Sequence, residues 1–129
     1  MLPASGLPEE LLKEGGNDRG RKNRQKEKQA RAKLLALKSP VYQAFLDMEK
    51  ATYTDGALSK RAKELIAVGI SVIIDCESCM QWHTEQAAQA GASMREVLEA
   101  VEVGMEMGGG PATVSSRFAL EVMEAVFKK

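Results

Sequence analysis

Both cysteines of the chain and its only histidine fall within DCESCMQWH, residues 75–83. Thiols and an imidazole so close together could attack an electrophile through a thiolate, form a reversible disulfide, or bind a metal. On a helix, Cys76, Cys79 and His83 are separated by three and four residues and share one face, which Met80, Ala87 and Ala90 continue. That face would otherwise be core, so the chemistry would have low dielectric and little water. Cysteines one turn apart can be bridged, which makes an oxidised Cys76–Cys79 form sterically accessible.

The two thiols differ in their expected surroundings. Cys76, at the first turn, meets unpaired backbone N–H groups and the positive end of the helix dipole, both of which favour a thiolate. Cys79 lacks most of that help, but His83 one turn on can take its proton or, as a cation, hold its thiolate. A histidine in this role needs an acceptor on its other ring nitrogen. Glu64, an acid in the first turn of a segment that otherwise becomes apolar, could supply it if two helices pair suitably.

The elements that must position these groups are legible from their punctuation. Residues 15–22, GGNDRGRK, read as a flexible break, and RQKEKQARAKLLALK after it is helical by propensity. Ser39 and Pro40 start a helix with Val41, Ala44, Phe45 and Met48 in one stripe. Ser59 can cap the next, whose segment ELIAVGISVII is apolar nearly all round, as a fully surrounded central helix would be. Asp75 can cap a helix running from Cys76 to near Gly91, and SMRE at 93–96 is a capping box. Helical spacing continues to GGGP, where Pro111 opens a last helix with Val114, Phe118 and Val122 on one side. The expectation is an all-α array of about five or six helices, with residues 1–22 a flexible arm and 23–129 one domain. A thioredoxin-like start, with LIAVGISVII as a buried strand leading into CxxC, would require further strands, and no second run has strand character.

Totals narrow the function. Lys plus Arg equals Asp plus Glu at 18 each among 129 residues, so no net field draws the molecule to nucleic acid or an anionic membrane. Residues 1–38 carry ten basic against five acidic side chains, leaving eight against thirteen beyond, so a basic arm precedes an acidic body. The opening MLPASGLPEELLKEGG lacks the basic leader and apolar run of a secretory signal, and no eighteen-residue apolar run occurs, so a soluble cytoplasmic protein is expected. In a reducing compartment a CxxC pair points to redox chemistry or a metal more than to a structural staple.

Glu64, eleven intervening residues, Cys76, two, Cys79, three, then His83 is the E-x11-C-x2-C-x3-H signature of the alkylhydroperoxidase D (AhpD)-like members of the carboxymuconolactone decarboxylase family. HTEQAAQAGAS and GGGPA also resemble that family, over roughly residues 40–127. The resemblance implies an all-helical fold, trimers or hexamers, and peroxidase or thiol-disulfide oxidoreductase activity without a cofactor. It makes Cys79 the peroxidatic cysteine and Cys76 its resolving partner, with Glu64 and His83 at proton-relay positions. It also implies a hydroperoxide or disulfide substrate and an external dithiol, thioredoxin-like or lipoyl, as reductant. The helix-dipole argument alone favours Cys76 as the more acidic thiol, but an acidic Cys76 also suits a leaving group, and the histidine acts on Cys79. The chain departs from AhpD proper at Ser78, where that protein has a histidine, so a general disulfide reductase competes. The lactone decarboxylases of the family lack the cysteine pair, and decarboxylation is not expected.

Plainer readings stand beside these. The cysteines could be small core hydrophobes. Cys76, Cys79, His83 and Glu64 could instead form a zinc site in a non-catalytic or redox-sensing module, although the second ligand pair common in structural zinc sites is missing. Trp82, off the cysteine face, reads as an inter-helix or subunit contact, the seven methionines as gap-filling residues, and Gly108 to Gly110 as a tight turn allowing close helix approach.

Overall fold

Short polar side chains set the helix starts. Ser39 Oγ accepts the Tyr42 N–H, Ser59 Oγ accepts the Ala62 N–H, and Ser93 exchanges both bonds of a capping box with Glu96. The computed structural model describes residues 17–128, which form α1 (Asn17–Ala36), α2 (Pro40–Thr52), α3 (Lys60–Ile73), α4 (Glu77–Gln89) and α5 (Met94–Phe127), with no strand among the described residues. The fold is all-α, as the capping signals predicted. None of these helices is long and apolar enough to cross a membrane.

α3 packs chiefly on α5 and α4, and their shared core holds Val68, Val72, Met80, Val97, Val101, Phe118, Val122 and Met123. Each such side chain, withdrawn from water, contributes about 1.5–3 kcal/mol. Two glycines let α3 and α5 approach: a Cβ on Gly69 would lie 2.9 Å from the Ala100 carbonyl oxygen, and one on Gly104 would lie 2.5 Å from that of Gly69. α5 is kinked at Gly109, whose φ of 71° and ψ of −151° only glycine adopts readily, and helical geometry resumes into Pro111. The GGGP turn therefore divides α5 into two helical runs that meet at Gly109, with Pro111 in the first turn of the second, where the spacing places a helix start.

Several local expectations are corrected. α1 begins at Asn17, inside the stretch read as a flexible break, because Arg19 and Arg24 tie it down: they pair with Glu77 and Glu85 of α4, and Arg19 also lies 4.8 Å from the centre of the Phe118 ring. Residues 1–16 of the expected arm lie outside the described residues. α3 is not fully surrounded; Ile66, Ile70 and Ile73 face outward, since only one flank meets α4 and α5. The α2 stripe is likewise uncovered, with no buried residue in the helix and Val41 79% exposed. Among the methionines Met80 and Met123 fill the core, whereas Met48 and Met107 are exposed. Asp75 is not the α4 cap: it sits at φ 53°, in a turn fastened by the Cys76 N–H to Ser71 carbonyl bond and by Ser115 Oγ donating to Asp75 Oδ1.

Candidate active site

Cys76 takes the capping position that Asp75 vacates. Its extended backbone precedes Glu77, and its Sγ accepts the Cys79 N–H at 3.2 Å, a bond to one of the free donors of the first turn. The same sulfur is bonded to Cys79 Sγ in a disulfide, with the Cα atoms 5.2 Å apart, well within the span a bridge requires. The structure is thus the oxidised form, and the helical turn that aligns the two sulfurs is the one that the CxxC spacing dictates.

Glu64 lies near the start of α3 and His83 midway along α4, and the antiparallel pairing of the two helices brings them together. Glu64 Oε1 is 2.7 Å from His83 Nδ1, and Lys60 Nζ donates to Glu64 Oε2 at 2.7 Å and to Gln86 Oε1 at 3.3 Å. Both carboxylate oxygens are therefore engaged in a group only 1% exposed, which is how a buried charge is tolerated. With a carboxylate on Nδ1, the imidazole carries its hydrogen there when neutral and leaves Nε2 as an acceptor. The Tyr53 ring lies 5.0 Å from that of His83, centre to centre. Burial pushes the Tyr53 phenol up, and Glu64 and Glu49 push it further, so it remains a neutral neighbour.

A hollow of about 180 Å³ opens on Cys79, Ser78, Trp82 and His83 of α4, with Phe45 and Glu49 of α2 and Glu27 and Arg31 of α1 among its other walls. Cys76 does not line it. A larger recess of about 530 Å³ adjoins it, sharing Arg31, Leu46, Glu49 and Trp82 and reaching Lys60, Glu64 and Tyr53. One cleft between α1, α2 and α4 thus reaches the sulfur on one side and the far end of the Glu64–His83 pair on the other. Trp82 makes an inter-helix contact, with the Arg31 guanidinium 5.8 Å from its ring centre, but it also walls the hollow beside Cys79.

All four residues singled out in the sequence, Glu64, Cys76, Cys79 and His83, meet at this one place. Among the described residues no group of three or more His, Cys, Asp or Glu side chains is arranged to hold a metal ion. Lys60 joins the site from four residues before Glu64, an ion-pair spacing on a helix that is the sequence signal for it. Tyr53, Glu27 and Arg31 arrive from other elements and left no sequence signal.

The comparisons with known proteins bear on this arrangement. A protein of Paracoccus denitrificans named uncharacterized protein 4 in cox locus is 37% identical over 83 residues, covering 64% of this chain and 75% of that protein. A carboxymuconolactone decarboxylase family protein from Legionella pneumophila, solved in its apo form, superposes with a TM-score of 0.80 at 29% identity, covering 84% of this chain and 97% of that one. A solved structure from Thermotoga maritima gives 0.72 at 26% identity, covering 78% and 91%. The sequence model of the carboxymuconolactone decarboxylase family matches residues 39–122, the span that holds α2, α3, α4 and most of α5 with the whole Glu64, Cys76, Cys79 and His83 group, and the chain belongs to that family.

Proposed function

We propose that this protein is a thiol oxidoreductase that reduces hydroperoxides, or disulfides, through Cys79 and Cys76. The observation that carries the reading is the hollow opening on Cys79 next to an imidazole whose Nδ1 is held by a buried carboxylate. In the reduced chain His83 takes the Cys79 proton, and the thiolate attacks a peroxide oxygen; the O–O bond breaks, an S–O bond forms, and the peroxide leaves as alcohol or water after gaining a proton. Cys76, its thiolate favoured by the first-turn N–H groups, displaces water from the Cys79 sulfenic acid to give the observed disulfide. An external dithiol, thioredoxin-like or lipoyl, then reduces the bridge by two thiol exchanges and becomes a disulfide itself.

The test is consumption of hydrogen peroxide and of an organic hydroperoxide with a dithiol donor, by the unmodified chain and by the Cys76→Ser and Cys79→Ser variants. Cys79→Ser should be inert. Cys76→Ser should accumulate one sulfenic acid per chain, trapped by a dione reagent. Turnover that survives loss of Cys79 would defeat the reading.

A further inference from the structure

The hollow over Cys79 is not built by the family-matched segment alone. Residues 39–122 supply the α2 and α4 walls, but α1 lies before that segment and contributes Glu27 and Arg31. Peroxide reduction moves a proton from the thiol to the oxygen that departs, and the two ends of that transfer lie on different sides of the reacting bond. As sulfur attacks one oxygen, the other departs as an alkoxide, a strong base that must be protonated while it leaves. His83 holds the thiol proton beside the sulfur, with its Nδ1 committed to Glu64, whereas the departing oxygen lies on the side away from the sulfur, where a carboxyl on another wall of the hollow can meet it.

We propose that Glu27 is the general acid of the peroxide half-reaction, its carboxyl donating a proton to the departing oxygen from the α1 wall of the hollow that holds Cys79. The Cys79 S–O bond forms as O–O breaks, sulfur passes from thiolate to sulfenic acid, the peroxide is reduced to an alcohol, and the Glu27 carboxylate is reprotonated as His83 releases the proton it took from the thiol, so no net proton is consumed. The inference rests on the peroxidase reading above. Glu49 also lines this hollow but belongs to the adjoining recess as well, whereas Glu27 lines the hollow that reaches the sulfur and not that recess.

The surroundings suit the role. Burial pushes the Glu27 carboxyl up, Glu85 of α4 and Glu49 of α2 push it further, and Arg31 of its own helix and His83 of α4 pull it back. The net direction is upward, so more of it carries a proton near neutrality than of an ordinary surface glutamate.

The experiment uses the pre-reduced full chain and Glu27→Gln, which keeps the side-chain volume on α1; helical circular dichroism checks the fold. Cys79 is reacted with an alkyl hydroperoxide, with a peracid whose carboxylate leaving group needs no proton, and with iodoacetamide, whose iodide needs none. The variant should lose about 10²-fold in the alkyl hydroperoxide rate and stay within about twofold for the other two reagents. Equal losses with all three reagents, or no loss with the hydroperoxide, overturn the assignment. An unmodified chain inert to the alkyl hydroperoxide overturns the peroxidase reading and this inference with it, whereas a reactive chain with an unaffected Glu27→Gln variant overturns the inference alone.

Discussion

Glu64 Oε1 and His83 Nδ1 meet at 2.7 Å across two helices, with the carboxylate's second oxygen on Lys60. In the proposed mechanism Glu64 acts only through the imidazole it orients. His83→Ala should therefore slow Cys79 oxidation by hydroperoxide about 10²-fold or more, and Glu64→Gln, which keeps an acceptor oxygen but loses the charge, by about tenfold. The double variant should be no slower than His83→Ala alone. Stopped-flow oxidation of the reduced proteins measures all three. Multiplying losses in the double variant would mean that Glu64 has an independent role.

The helices were readable because their signals are local: Ser39, Ser59 and Ser93 act on N–H groups within three residues, and the CxxC spacing fixes a face. The Glu64–His83 meeting was only a possibility in the sequence, since it depends on how two helices pair. Periodicity showed that Ile66, Ile70 and Phe45 lie on apolar faces, but it carries no information on what covers them, and the described residues leave each about half exposed. Asp75 departs from the capping expectation for a different reason. Its side chain is a good cap, but the left-handed turn there sends it to Ser115 and leaves the capping position to a sulfur.

Gly104 should be among the least replaceable residues outside the site. An added Cβ would strike Val72 Cγ2 and the Gly69 carbonyl oxygen, and a backbone atom cannot swing aside. Overpacking of this kind costs about 1–3 kcal/mol, and alanine's better helix propensity returns about 1 kcal/mol of it. Gly104→Ala is expected to lower the urea midpoint measurably. Gly110→Ala, where the added atom meets nothing within 4 Å, is the control and should not lower it. Equal stability of the two variants would show that α3 and α5 are not in tight register.

Ile66, Ile70 and Ile73 of α3, with Val103 and Met107 of α5, are all exposed in the single chain. Apolar surface gathered on packed neighbouring helices marks an association face more often than a solvated one. The unmodified chain is expected to sediment as a homo-oligomer, the trimer or hexamer that the family resemblance implies, and Ile70→Lys to shift it toward monomer. A monomer at micromolar concentration for the unmodified chain would defeat this expectation.

Glu27 offers a test of its electrostatics that needs no activity. Its folded carboxyl is raised above the ordinary value of 4.5, so between that value and the raised one the folded chain binds more protons than the unfolded chain. Stability contributed by this group therefore falls as pH rises through the window, and the deficit is complete above it. Glu27→Gln removes the deficit, so the variant should be the more stable chain near pH 7.5, by a small margin because the group is partly solvated. Below about pH 4 both chains carry a neutral side chain there and the difference should vanish. Urea unfolding at the two pH values decides it, since Glu124, also raised by burial and by Glu121, is common to both chains and cancels. A stability difference that is the same at both pH values would locate the effect in packing and not in the charge of Glu27.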